Sequence, residues 1–152
     1  GVVVGKRHVL TAAHVVDCEV VLTVRATFAD GRTLRLKVEK VWLSRDVARL
    51  ESSEDVGTAP PIVGPSPRIG DVACSATGMP ARGWNCGTVE TVAPDRMTVG
   101  NMVWRGNSGA GLYDDRGRLV GVVVAGYFNT LTGEPLGTGF ASPLRGEFMP
   151  WK

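Results

Sequence analysis

Cysteine and long apolar runs are scarce in this 152-residue chain, and each shortage excludes a class of protein. Three cysteines, Cys18, Cys74 and Cys86, are too few for a disulfide-rich scaffold, and they lack the C-x-x-C spacing of common metal or redox sites. The odd count mildly favours a reducing compartment, although a single bridge between Cys74 and Cys86 stays open. No apolar run approaches the about 20 residues that a membrane span needs, so we expect a soluble chain without such a span.

An excess of charge of one sign is also missing. The chain has 17 basic and 15 acidic residues, which give a net charge of +2, and the basic residues are dispersed. A nucleic-acid partner is therefore not expected, because phosphate backbones are bound by clustered basic residues. No signal peptide is visible at the start of the sequence, and the compartment stays open.

The sequence does contain enough apolar residues, 43%, for one globular domain. Short β-branched segments recur about every ten residues without a sustained helical period, and this pattern predicts an all-β fold. We predict eleven strands, at residues 2–4, 9–10, 20–28, 33–42, 47–50, 72–76, 87–92, 96–99, 111–113, 119–125 and 139–141.

A proline-rich segment divides these strands into two groups. Residues 52–70 contain four of the nine prolines, so we expect a long connection there. The chain is then a single domain, residues 1–152, with one half at about 1–55, a connection at 56–70 and a second half at 71–152.

One of the two histidines, His14, is placed as a general base would be. It follows a predicted strand in the sequence VLTAAHVV, residues 9–16, where a helical turn would fix the orientation of its ring. The alternative is a surface histidine without a catalytic role. A zinc site built from His8, His14 and Cys18 is not expected, because their spacing fits no standard site.

A serine, Ser108, lies between glycines in the sequence RGNSGAG, residues 105–111, just before a predicted strand. Glycines permit a turn in which successive backbone N–H groups converge on one oxygen, as a serine nucleophile requires. The alternative is a glycine-rich hairpin with a solvated serine. The nucleophile elbow of α/β-hydrolases does not fit, because residue 110 is alanine and no helix follows.

A carboxylate that orients the histidine would complete the set, and Asp46 is the best candidate. It directly precedes a predicted strand, whereas Asp30 and Asp55 lie in turns and Asp17 is only three residues from His14. The candidate triad is therefore His14, Asp46 and Ser108, in that chain order.

These three segments resemble the active-site blocks of the chymotrypsin-like serine proteases. The His block, the Asp block and the Ser block with its following strand occur in the family's order, at residues 9–14, 46–50, 106–112 and 117–122. Further blocks are similar to the HtrA (Deg) type of protease domain, at residues 70–72, 77–80, 87–89 and 137–143. The resemblance covers nearly the whole chain.

The resemblance implies two six-stranded antiparallel β-barrels with an active site in the cleft between them. His14 and Asp46 would come from the first barrel and Ser108 from the second, with the backbone N–H groups of Gly106 and Ser108 as the oxyanion hole. The implied function is a serine endopeptidase that needs no cofactor. Two alternatives stay open, a protease-like binding or structural module with little turnover, and an esterase that uses the same triad.

The resemblance also places a substrate pocket and shows departures from the digestive members. The pocket would be formed by Met102, Val103, Trp104, Val124, Ala125, Gly126 and Gly139. It contains no acid, so we expect a preference for an apolar residue before the scissile bond, although Val103 and Val124 are equally compatible with a core role.

Asn107 stands where digestive members have an aspartate, so activation by zymogen cleavage is not expected. We expect no peptide-binding domain of the HtrA type within residues 1–152. The expected partners are protein or peptide substrates. Self-cleavage within a longer protein and assembly into a homo-oligomer both stay open.

Overall fold

This computed structural model describes residues 1–16, 23–76, 83–101, 103 and 106–150. Eleven strands occur among them, β1 Val2–Val3, β2 His8–Ala12, β3 Thr23–Thr27, β4 Thr33–Trp42, β5 Val47–Ser52, β6 Val72–Ala76, β7 Trp84–Val92, β8 Met97–Val99, β9 Gly111–Asp114, β10 Leu119–Phe128 and β11 Pro135–Pro143. A short helix, α1 Ala13–Val16, and two 3-10 turns, Leu43–Arg45 and Gly146–Phe148, complete the described elements. The prediction of an all-β fold is confirmed.

The first half is a curled antiparallel sheet of five strands in the order β1-β2-β5-β4-β3. The apolar core of this sheet includes Val9, Leu36 and Leu50 from its strands. The helix α1 adds Ala13 and Val16 to the same core. Whereas a six-stranded barrel was expected here, the described residues form five strands without closure. Residues 17–22, which include the beginning of the predicted strand 20–28, lie outside the described part of the chain.

The second half is the expected closed barrel of six antiparallel strands, in the order β10-β11-β8-β7-β6-β9. Alternate side chains point into it, as the period-2 pattern of these strands predicts. Its centre is filled by fully buried residues that include Met97, Val99 and Leu112.

Cys74 and Cys86 form a disulfide within this barrel. The two residues lie directly opposite each other on β6 and β7, so the strand register brings their Cβ atoms together. The bridge that the sequence left open is therefore present, and the cysteine count no longer favours a reducing compartment. Cys18 lies outside the described residues.

The two halves share a third apolar cluster. It joins Val4, Leu10 and Val47 of the first half to Leu119 and Val122 of the second. The connection also pairs with the second half, since the Leu119 N–H donates to the Ile62 carbonyl at 2.7 Å. This shared core fixes the halves relative to each other. None of the helices among the described residues has the length and apolar character needed to cross a membrane.

The hairpin between β9 and β10 is held by one carboxylate, that of Asp114. It accepts hydrogen bonds from the backbone N–H groups of Arg116 at 3.0 Å and Arg118 at 2.9 Å, and from the Arg118 Nε at 2.7 Å. Burial alone raises the pKa of Asp114, but these hydrogen bonds and the Arg118 charge together lower the pKa below its ordinary value.

Replacing this carboxylate with Asp114→Asn should lower the free energy of unfolding by about 1–2 kcal/mol near pH 7. Because the pKa of Asp114 is lower in the folded state than in the unfolded state, its carboxylate stabilises the fold at any pH above the unfolded-state pKa. This stabilisation is lost as the pH falls through the folded-state pKa. Urea titrations at pH 7 and pH 3 should therefore show a smaller difference between wild type and variant at pH 3.

The hairpin between β3 and β4 supplies a matched control. Asp30 makes a similar pair of bonds, to the Arg32 N–H at 3.0 Å and the Arg32 Nε at 2.6 Å, but its side chain is 53% exposed. Asp30→Asn should destabilise the protein less than Asp114→Asn, because water screens the exposed pair. Equal losses for the two variants would contradict the assigned role of Asp114.

Candidate active site

His14 and Asp46 meet because their strands are paired. Ala12, the last residue of β2, lies opposite Val47, the first residue of β5, so the residues just beyond these strand ends are neighbours. The Asp46 Oδ2 lies 2.7 Å from the His14 Nδ1, and the Asp46 Oδ1 accepts the His14 backbone N–H at 2.8 Å. One carboxylate thus holds both the ring and the backbone of His14.

This arrangement prepares the imidazole to act as a base. A hydrogen bond from Nδ1–H to the carboxylate fixes the tautomer that leaves Nε2 as the proton acceptor. The His14 side chain is 49% exposed, so its ring is accessible from the cleft.

The backbone at Asp46 is in the left-handed region, at φ 54° and ψ 43°. It is the only residue other than glycine with a positive φ in the described part of the chain. Such a conformation is unfavourable for a residue with a Cβ and persists where surrounding contacts enforce it. Here the Asp46 N–H donates to the Leu43 carbonyl at 3.1 Å and the Asp46 carbonyl accepts the Ala13 N–H at 2.9 Å.

The same turn is tied to the second half through Arg45. The Arg45 guanidinium, directly before Asp46, donates to the Pro94 carbonyl between β7 and β8. Arg145, which follows β11, donates to the same oxygen. The position of Asp46 is therefore anchored from both halves.

Ser108 lies in a tight turn that precedes β9. The turn has positive φ at Gly106, 95°, and at Gly109, 90°, and the Ala110 N–H donates to the Asn107 carbonyl at 2.9 Å. The Ser108 Oγ donates to the Val124 carbonyl at 3.4 Å. Within the described residues no hydrogen bond joins it to His14.

All three candidate triad residues line one open cleft of about 460 Å³. Gly106 lines it too, as do four of the predicted pocket residues, Val103, Val124, Ala125 and Gly126. Gly139 does not line it but pairs with Gly126 on the neighbouring strand. The predictions for Met102 and Trp104 fall outside the described residues.

Phe128 also lines the cleft, although the sequence analysis did not include it among the site residues. The signal was available, because Phe128 lies two positions after Gly126 on the same strand and alternate residues of a strand share a face.

Val103 fills the space between two strands of the pocket wall. A Cβ at Gly126 would lie 2.8 Å from the Val103 Cβ, and a Cβ at Gly139 would lie 2.5 Å from its Cγ2. Val103 is 3% exposed and also belongs to the core of the second barrel. It therefore has both of the roles considered from the sequence, in the core and in the wall of the cleft.

The two halves are in tight contact beside Ser108. A Cβ at Gly109 would fall on the Thr11 Oγ1 and would lie 3.0 Å from the backbone nitrogen of Ala12. The turn that carries Ser108 thus packs on the end of β2, two residues before His14.

Comparisons with known proteins bear on the family and the fold. A family model described as a trypsin-like peptidase domain matches residues 1–122. Among solved structures, the chain is similar to the HtrA-type protease AlgW with a decapeptide, at 23% identity and a TM-score of 0.74 over 91% of this chain and 45% of that one. It is also similar to a serine endoprotease from Yersinia pestis, at 22% identity and a TM-score of 0.73 over 91% of this chain and 50% of that one.

These structural likenesses show the fold. The chain spans about half the length of the solved structures that it matches. No significant match was found among curated proteins.

The close packing at Gly109 leads to a test of how the halves fit together. Gly109→Ala should lower the free energy of unfolding by about 3 kcal/mol or more, because it adds left-handed strain and a collision with Thr11. Gly117→Ala is the matched control, since Gly117 has φ 75° with nothing within 4 Å of its Cβ position. Gly117→Ala should lower the free energy of unfolding only by the left-handed backbone strain, about 1–2 kcal/mol. Urea denaturation measures both, and equal losses would contradict the collision.

Proposed function

The chain belongs to the family of trypsin-like peptidase domains, and from this premise we propose that it is a serine endopeptidase that acts through His14, Asp46 and Ser108. The observation that carries the proposal is the double contact of the Asp46 carboxylate with the ring and backbone of His14, in the cleft that Ser108 also lines. This contact is the one that a general base needs to keep its orientation and tautomer.

In the proposed reaction, the Ser108 hydroxyl rotates from the Val124 carbonyl toward the His14 Nε2. Ser108 Oγ attacks the peptide carbonyl while His14 takes its proton, and Asp46 stabilises the imidazolium. The backbone N–H groups of Gly106 and Ser108 donate to the oxyanion. His14 then protonates the leaving amine, and water activated by His14 hydrolyses the acyl-enzyme.

The substrate side chain before the scissile bond is proposed to be short and apolar. The predicted pocket residues that line the cleft, Val103, Val124, Ala125 and Gly126, have no charged side chain. Because Val103 occupies the space over Gly126, and Val103 and the Asn101 side chain together occupy the space over Gly139, little depth remains for a long side chain. A peptide substrate is supported by the similar protease AlgW, which was solved with a decapeptide and with a tripeptide.

A second candidate function is a protease-like module with little turnover. It is favoured by the Ser108 hydroxyl, which donates to the Val124 carbonyl rather than to His14. An esterase with the same triad is the third candidate, because the chemistry of acyl transfer is shared by amides and esters.

Labelling with a fluorophosphonate probe separates an enzyme from an inactive module. We expect wild-type protein to be labelled at Ser108, and Ser108→Ala and His14→Ala to lose the label. Asp46→Asn should lower kcat by about 10⁴-fold, because it favours the wrong histidine tautomer. The exposed Ser53 supplies the control, and Ser53→Ala should label as wild type does. Folded wild-type protein that fails to react would contradict the proposal, and cleavage of esters but not peptides would favour the esterase.

The depth of the pocket is tested by Val103→Ala. Removing two methyl groups over Gly126 and Gly139 should shift the preference from Ala or Val toward Leu or Phe before the scissile bond by about tenfold or more in relative kcat/KM. Val99→Ala is the control for general loosening, since Val99 is buried in the same barrel without lining the cleft. A peptide panel measures both variants, and best cleavage after Lys or Arg by wild type would overturn the apolar assignment.

A further inference from the structure

A second cluster of reactive side chains lies at the ends of β2 and β5 remote from the cleft. His8 on β2, Glu39 on β4 and Glu51 on β5 bring one ligand atom each within 4.8 Å of one another. His8 lies directly opposite Glu51 in the strand register, and the His8 Nε2 is 3.5 Å from the Glu39 Oε2. None of the three lines the active-site cleft.

A β-bulge places Glu39 in this cluster. The register between β4 and β5 shifts after Val38, so that Glu39 and Lys40 together face the single residue Arg49. Without the extra residue, Lys40 would face the fully buried Ala48. The bulge thus keeps both Glu39 and Lys40 outside the core and leaves Glu39 beside His8.

Of the two carboxylates in the cluster, that of Glu39 is paired with Arg49 and that of Glu51 is available to bind a metal ion. The Arg49 Nε donates to the Glu39 Oε2 at 2.6 Å, and the Arg49 Nη1 donates to the carbonyls of Phe148 and Met149 at 3.1 Å and 3.0 Å. Arg49 is therefore fixed from two sides and orients Glu39. Glu51 is half-buried, and within the described residues its carboxylate has neither an ion pair nor a hydrogen bond, although Lys37 lies opposite it on β4.

We propose that His8, Glu39 and Glu51 bind a zinc ion. One imidazole nitrogen and two carboxylate oxygens are ligands that zinc accepts, with water in the fourth position. Bonds of about 2.0–2.2 Å in a tetrahedral site place two ligand atoms about 3.4 Å apart. The His8 and Glu39 atoms are 3.5 Å apart and all three ligand atoms lie within 4.8 Å of one another, so a zinc ion must draw them slightly closer together. Arg49 supplies the outer hydrogen bond that a ligating carboxylate commonly has.

The sequence concealed this site because its residues come from three strands. The nearest carboxylate to His8 along the chain is not a member, and the bulge that aligns Glu39 has no sequence motif. A zinc ion here would join β2, β5 and β4 at one end, while β2 and β5 hold His14 and Asp46 at the other. Its effect is on the stability of the sheet, because it binds the folded state and not the separated strands.

Isothermal titration of the full chain with zinc chloride, after removal of metal with EDTA, tests the site. We expect one zinc ion per chain, with the affinity lowered at least tenfold in His8→Gln and in Glu51→Gln. His14→Gln and Cys18→Ser are the matched controls, because they remove the other histidine and the third cysteine, and both should bind zinc as wild type does. Circular dichroism of each variant checks that it is folded.

Proton NMR on the wild type gives a measurement that needs no variant. The chain has only two histidines, so zinc should shift the His8 ring resonance at one equivalent and leave that of His14 in place. Absence of saturable binding would overturn the proposal. So would binding that is lost in His14→Gln, which would assign zinc to the cleft, or in Cys18→Ser, which would assign it to a thiol.

Discussion

The contact between Asp46 and His14 is the constraint on which the arrangement of the site depends. It joins the residue directly before β5 to the short helix that follows β2, and it uses both oxygens of one carboxylate. The carboxylate reaches these two groups from a left-handed backbone conformation, which costs free energy for a residue other than glycine. The surrounding hydrogen bonds of Leu43 and Ala13 offset this cost. The base is therefore positioned by contacts within the first half, and the Arg45 bond to Pro94 ties the turn before Asp46 to the second half.

The nucleophile depends on a different constraint, the fit between the halves. Ser108 belongs to the second barrel, and its distance from His14 is set by the packing of Gly109 on Thr11. The apolar cluster that Leu10 and Leu119 share holds this packing in place. A change far from the cleft that shifts this shared core would move the base relative to the nucleophile without touching either.

The sequence predicted the features that depend on local order along the chain. Alternation of apolar residues located the strands, and short blocks around His14, Asp46 and Ser108 located the candidate triad. Features that depend on the register between strands were harder to predict from the sequence. The pairing of Cys74 with Cys86 was one of two readings, because it requires knowledge of which residues of β6 and β7 lie opposite each other.

Register and bulges also explain why the space around the pocket could not be predicted. Gly126 and Gly139 are far apart in sequence, and only their pairing on β10 and β11 shows that Val103 covers both. The two histidines differ in how far their surroundings could be predicted from the sequence. His14 is recognisable from its neighbours in sequence, whereas the surroundings of His8 come from β4 and β5 and follow from one inserted residue. A strand pattern fixes which face a side chain occupies, but the neighbours across that face are set by how the strands are aligned.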